Sequence, residues 1–148
     1  MKVLQYVYLG VSSETLDPAT ITQRIGIGPD RVEVRASRSV DPPRPVANRW
    51  RLDASPGGTV DDRIDEMLAR IEPCADRLAE LTAAGEVAAV IEVVRHLGHP
   101  DGDEEEARDV GSLQKLPGQH QLLGFALSTR TLTRLVDLGL SLDFDEYG

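Results

Sequence analysis

The stretch Lys2-Val3-Leu4-Gln5-Tyr6-Val7-Tyr8-Leu9-Gly10-Val11 decides the fold, because its alternation leaves neither side strongly polar. Val3, Val7, Leu9 and Val11 fall on one face and Leu4, Tyr6 and Tyr8 on the other, the pattern of a central strand. Next in the chain, Asp17-Pro18 supplies an N-cap and a proline at the first helical position; Ile21 and Ile25 share one side and Gly26 closes a short helix. Val32, Val34 and Ala36 alternate with Arg31, Glu33 and Arg35, and Trp50 and Leu52 alternate with Arg49, Arg51 and Asp53, which predicts two half-buried strands. Asp41-Pro42-Pro43-Arg44-Pro45 between them has too few backbone donors for a ladder and reads as a stiff, exposed hairpin loop.

Thr59, followed by Asp62, resembles a capping box and opens the longest periodic stretch. Val60, Ile64, Met67, Ile71, Cys74, Leu78 and Leu81 form one apolar stripe that runs through Pro73. Proline costs about 3 kcal/mol inside a straight helix, so the stripe predicts a kink or two abutting helices with the phase kept. After Gly85, the residues Val87, Ala89, Ile91, Val93 and Leu97 read as the inward face of a long strand, followed by an acidic loop. Leu123, Phe125 and Leu127 predict a fifth strand, Ser128 or Thr129 caps a helix bearing Leu132, Leu135 and Val136, and Leu140, Leu142 and Phe144 predict a final strand. The order is β-α-β-β-α-β-β-α-β. Its first six elements match ferredoxin-like domains. The expected class is therefore α+β, a two-layer sandwich with a ferredoxin-like β-α-β-β-α-β core extended by a C-terminal β-α-β unit, in a single domain over residues 1–148.

A chain of 148 residues with 41% hydrophobic content is sufficient for one core. Its single cysteine, Cys74, cannot form an intramolecular disulfide, and the N-terminus has no cleavable leader pattern, so a cytoplasmic location is expected. Val87 to Val94 is interrupted by Glu92 and is far shorter than the roughly 20 residues of a membrane helix, so no membrane partner is expected.

The formal charge of -9 is unevenly placed. Asp101, Asp103, Glu104, Glu105, Glu106 and Asp109 oppose only Arg108, and Asp137, Asp143, Asp145 and Glu146 follow near the C-terminus. These two segments hold the whole excess. Residues 31–51 run the other way, with Arg31, Arg35, Arg38, Arg44, Arg49 and Arg51 against Glu33 and Asp41.

Tyr8-x-Gly10, the helix start Asp17-Pro18-Ala19-Thr20-Ile21-Thr22 leading to Gly26-Ile27-Gly28-Pro29, the lone Trp50-x-Leu52, and Leu138-Gly139-Leu140-Ser141-Leu142-Asp143-Phe144-Asp145-Glu146-Tyr147 resemble a bacterial family of domains of unknown function, numbered forty-two seventy-nine. The resemblance covers nearly the whole chain. Its motifs are caps, turns and core positions, so it implies a fold and brings no established activity. Small members of this kind are similar in size and charge to immunity proteins of bacterial toxin systems, a link by analogy.

No enzyme signature stands out. His96-x-x-His99-Pro100-Asp101-Gly102-Asp103 gathers possible metal ligands, but one histidine belongs to a strand end and the rest to a loop, so no metal or other cofactor is expected. Counted from Asp101, Glu106 stands where a calcium loop requires glycine and Ser112 where it requires glutamate. Cys74 lies on the apolar stripe as a small hydrophobe, and no serine sits in a nucleophile elbow. Asp61 with Asp62, and Asp143 with Asp145, suit helix-dipole and strand-exterior roles. Gly26-Ile27-Gly28-Pro29 follows a helix and loses a donor at Pro29, so it is a helix stop and not a phosphate loop. Arginines beside Trp50, with Tyr6 and Tyr8, invite comparison with RNA-stacking sheets, but alternation puts Trp50 opposite Arg49 and Arg51 and the net charge opposes phosphate. No nucleic acid partner is expected.

The leading expectation is a non-enzymatic interaction module in which Asp101, Asp103, Glu104, Glu105, Glu106 and Asp109, or the acidic C-terminal strand, meet a basic protein, immunity against a toxin being one form. The alternative is a regulatory or ligand-binding domain that holds a small anion at a concavity lined by Arg35, Arg49 or Arg51. A metal-dependent enzyme using His96 and His99 ranks third, and exposed sheet edges admit a homodimer.

Overall fold

The computed structural model describes residues 1–104 and 125–148. Strand β1 (Lys2–Ser13) leads to helix α1 (Pro18–Ile25), β2 (Arg31–Glu33) and β3 (Asn48–Asp53). Helix α2 (Val60–Ile71), a 3-10 turn (Glu72–Cys74) and α3 (Ala75–Ala83) precede β4 (Ala88–Leu97), followed by the two-residue β5 (Asp103–Glu104), α4 (Thr129–Asp137) and β6 (Ser141–Tyr147). The main sheet runs β2-β3-β1-β4-β6. Each of its first four strands is antiparallel to its neighbours among them, with Leu9 opposite Leu52 on one side and Ile91 on the other. This is the ferredoxin-like order, and β1 is central as its two apolar faces require. Strand β6 joins outside β4 in parallel, Ile91 opposite Leu142, and the crossover that parallel pairing demands carries α4. The fold is α+β, a ferredoxin-like core with an extended sheet.

Among the described residues, the main core cluster lies on one face of the sheet. Val7, Leu9, Val11, Trp50, Leu52, Ile91 and Val93 meet Ile21, Ile64, Met67, Ile71, Cys74, Leu78 and Leu81 from the helices. The stripe through Pro73 stays buried along its length, because the chain breaks into two helices joined by the 3-10 turn, where proline needs no donor. Caps form where expected: Asp17 accepts from the Thr20 amide, Thr59 and Asp62 close a reciprocal box, and Ser128 accepts from the Thr131 amide.

Four expectations are corrected. Phe125 and Leu127 are not in a strand, although both pack against the core, since β6 takes the place beside β4; Leu123 lies outside the described residues. Strand β2 ends at Glu33, and Val32, Val34 and Ala36 are exposed because no helix of the described residues covers that edge; Ala36 turns the chain with φ 54°. In α4 only Leu135 of the three apolar residues is buried, while Leu132 and Val136 face outward. The acidic stretch begins as strand, not as free loop: Asp103 and Glu104 pair with Val3 and Lys2 beside the start of β1.

Candidate functional site

The face of the sheet opposite the helices is formed by the even-numbered residues of β1. Rows across the sheet follow from the register. Asp53, Tyr8, Glu92 and Asp143 form one row, and Arg51, Gly10, Val90 and Ser141 the next, with Arg31 beyond Arg51 on β2. A third row brings Glu33 and Arg49 to Ser12. At the centre of the second row Gly10 has no side chain, and the Tyr8 ring and Val90 flank it, 3.6 and 3.7 Å from where a Cβ would stand. A shallow cavity of about 600 Å³ lies there, lined by Tyr8, Gly10, Ser12, Val46, Val90, Arg31, Arg49, Arg51, Glu33 and Glu92.

The arginines are held in different ways. Arg51 places its guanidinium 3.7 Å from the centre of the Tyr8 ring, a cation–π contact, while its Nε donates to Asp53 at 2.5 Å. Arg31 meets the other oxygen of the same Asp53 at 3.2 Å. Arg49 contacts Glu33 at 3.4 Å and is otherwise exposed. Opposite them stands Glu92, which has no ion-pair or hydrogen-bond partner among the described residues.

Burial raises the Glu92 carboxyl above its ordinary range, repulsion from Asp143 and Asp145 adds to this, and Arg49 pulls weakly the other way. Burial also raises the Tyr8 phenol, with Glu92 reinforcing and Arg51 and Arg49 opposing, which places that ring between the acidic and basic sides. Because the folded chain retains the Glu92 proton to higher pH than the unfolded chain, this group's contribution to stability is full below its unfolded pKa and is lost as pH rises through its folded value. Glu92→Gln is accordingly expected to raise the thermal midpoint at pH 7 by a small amount and to leave it unchanged below about pH 4, where both forms are neutral. A lowered midpoint at pH 7 in scanning calorimetry would contradict this electrostatic account.

Of the residues singled out in the sequence, Arg49 and Arg51 meet at the cavity. Arg35 does not line it; beyond the end of β2 its side chain donates to the Glu14 carbonyl at 2.8 Å and its amide to Asn48 at 2.7 Å. Asp101 is exposed, and Glu104 lies 3.3 Å from the N-terminal ammonium. Glu105, Glu106, Asp109 and His120 lie outside the described residues. His96 and His99 come together with ring centres 5.9 Å apart, but His96 stacks on Tyr147 at 4.8 Å and the Nδ1 of His99 accepts from the Asp101 amide. Among the described residues no group of three or more His, Cys, Asp or Glu is placed to hold a metal. The Cys74 thiol is buried, which raises its pKa despite the nearby Arg77, and it donates to the Ile71 carbonyl at 3.1 Å. That environment disfavours the thiolate nucleophile.

Tyr8, Gly10, Arg31 and Glu92 complete the cavity and were not singled out together by spacing. Glu92 carried a signal, as the one charge inside an otherwise apolar run. Arg95 carried none. It occupies the inward face of β4, 1% exposed, where it pairs with Glu146 at 2.8 Å, contacts Gln5 and lies under the Phe125 ring.

No helix among the described residues is long and apolar enough to cross a membrane. No curated protein and no solved structure matches the chain. The description of one family, Domain of unknown function (DUF4279), matches residues 4–148, almost the full length and all of the strands that build the cavity. The chain belongs to the DUF4279 family.

Proposed function

We propose that this protein is a non-enzymatic binding domain that holds a small anionic ligand in the cavity on the face of its sheet opposite the described helices. The observation that carries the reading is the sharing of Asp53 by Arg31 and Arg51, which leaves one guanidinium charge uncompensated beside a concave surface. Arg49, loosely paired with Glu33, is available to turn toward a ligand. The apolar part of the lining, Val46, Val90 and the Tyr8 ring, suits a ligand with a carbon skeleton better than a bare ion.

The test is a thermal-shift series with citrate, succinate, N-acetylated amino acids and inorganic phosphate at constant ionic strength, followed by calorimetry. At least one organic anion is expected to raise the midpoint, since a ligand at 100 times its Kd stabilises by about 2.7 kcal/mol. Arg49→Ala is expected to weaken that ligand about tenfold, the loss of roughly one charge-assisted contact. No shift with any of these anions, or an affinity indifferent to Arg49→Ala, would refute the proposal.

A further inference from the structure

The cavity has two electrostatic ends. On the β2–β3 side, two arginines share one aspartate and a third is weakly held, so a positive charge is left over. On the β4 side, Glu92 forms no ion pair among the described residues, Arg49 attracts it only weakly, and its nearest charged neighbours along the β6 row are the carboxylates of Asp143 and Asp145. Gly10 and Val90 form the floor between. Arg51 and Glu92 lie two strands and two residues apart in register, roughly 12 Å between backbones, and the Arg51 guanidinium rests over the ring of Tyr8 on the strand between them.

A simple anion gains at the arginine end and is repelled at the other. An ammonium group at Glu92 removes that repulsion and supplies a direct ion-pair partner. We propose that the cavity is built for a zwitterion of amino-acid size, its carboxylate at Arg49 and the Arg31–Arg51 pair and its ammonium at Glu92. The inference rests on the anion-binding reading and narrows it to one ligand class. The raised carboxyl of Glu92 agrees with it, because a bound ammonium returns that group to its charged form.

The experiment screens the twenty common L-amino acids by thermal shift at about 10 mM, then measures the best of them by calorimetry beside its N-acetyl and α-amide derivatives. Acetylation removes the ammonium charge and amidation the carboxylate. The free amino acid is expected to bind at least about tenfold more tightly than either derivative. Glu92→Gln is expected to abolish the preference over the N-acetyl form by weakening the free amino acid and tightening the N-acetyl form, from which the Glu92 repulsion is lifted; a variant that still binds the N-acetyl form is folded, which separates a binding role from loss of fold. Equal affinity for the free and N-acetyl forms would overturn the zwitterion inference and leave the anion reading standing. An α-amide as tight as its parent would overturn both. No shift with any amino acid overturns the inference, and the citrate, succinate and N-acetyl results then decide the broader reading separately.

Discussion

Trp50→Ala is expected to cost about 3–5 kcal/mol of folding free energy, the largest loss from any one truncation in this core. Trp50 is fully buried, stands opposite Val11 on β1, and donates its indole Nε1–H to the Thr22 hydroxyl at 3.0 Å. Alanine would leave a cavity between β3 and α1, and the surrounding helix and strand can relax into it only in part. Trp50→Phe is expected to lose markedly less, since it keeps most of the apolar contact and the Thr22 hydroxyl retains its own acceptor, the Pro18 carbonyl, at 2.9 Å. Urea unfolding followed by far-ultraviolet circular dichroism reads both variants. A loss below about 1 kcal/mol for the alanine variant would mean that β3 and α1 are not packed as described.

Gly102→Ala is expected to cost about 1–3 kcal/mol, from a single added methyl group. A Cβ at this position would stand 2.5 Å from the Leu4 amide nitrogen and closer still to the Val3 carbonyl carbon. Both are backbone atoms of the central strand and cannot swing aside as a side-chain tip can. The turn must therefore lift, and β5 with it. Lys2 is tied to the same segment, accepting from the Gly98 amide at 2.7 Å and donating its Nζ to the Pro100 carbonyl at 2.8 Å. Hydrogen exchange is expected to show lost protection at the start of β1 and across residues 98–104, with the helices unchanged. Wild-type protection at Val3 and Leu4 would show that the contact is not tight.

The parts of the fold legible in the sequence are those fixed by local periodicity. The two-sided apolar alternation of Val3 to Val11 marked the centre of the sheet, and the stripe from Val60 to Leu81 survived a proline because burial depends on phase more than on helical continuity. Partner choice between distant strands was less legible. Phe125 and Leu127 alternate as a strand would, yet the place beside β4 goes to Ser141–Tyr147, and alternation alone cannot show which of two apolar segments wins. Val32 and Val34 likewise have strand character, and no helix among the described residues covers them.

The site follows the same division. Arg49 and Arg51 were visible as a basic alternating pair, while Tyr8, Gly10 and Glu92 join them only through register across three strands. Arg35 continued the alternation in sequence, but β2 stops two residues before it.

Arg95 bears on which strand can lie beside β4. Without Ser141–Tyr147, β4 would be an outer strand of the sheet formed by the described residues, with a ladder edge that invites pairing with another molecule. A guanidinium on its inward face makes that edge a poor template for aggregation, because a foreign strand would have to bury the charge. The chain's own last strand brings Glu146 to the same guanidinium, so the intended neighbour is the one equipped to meet it.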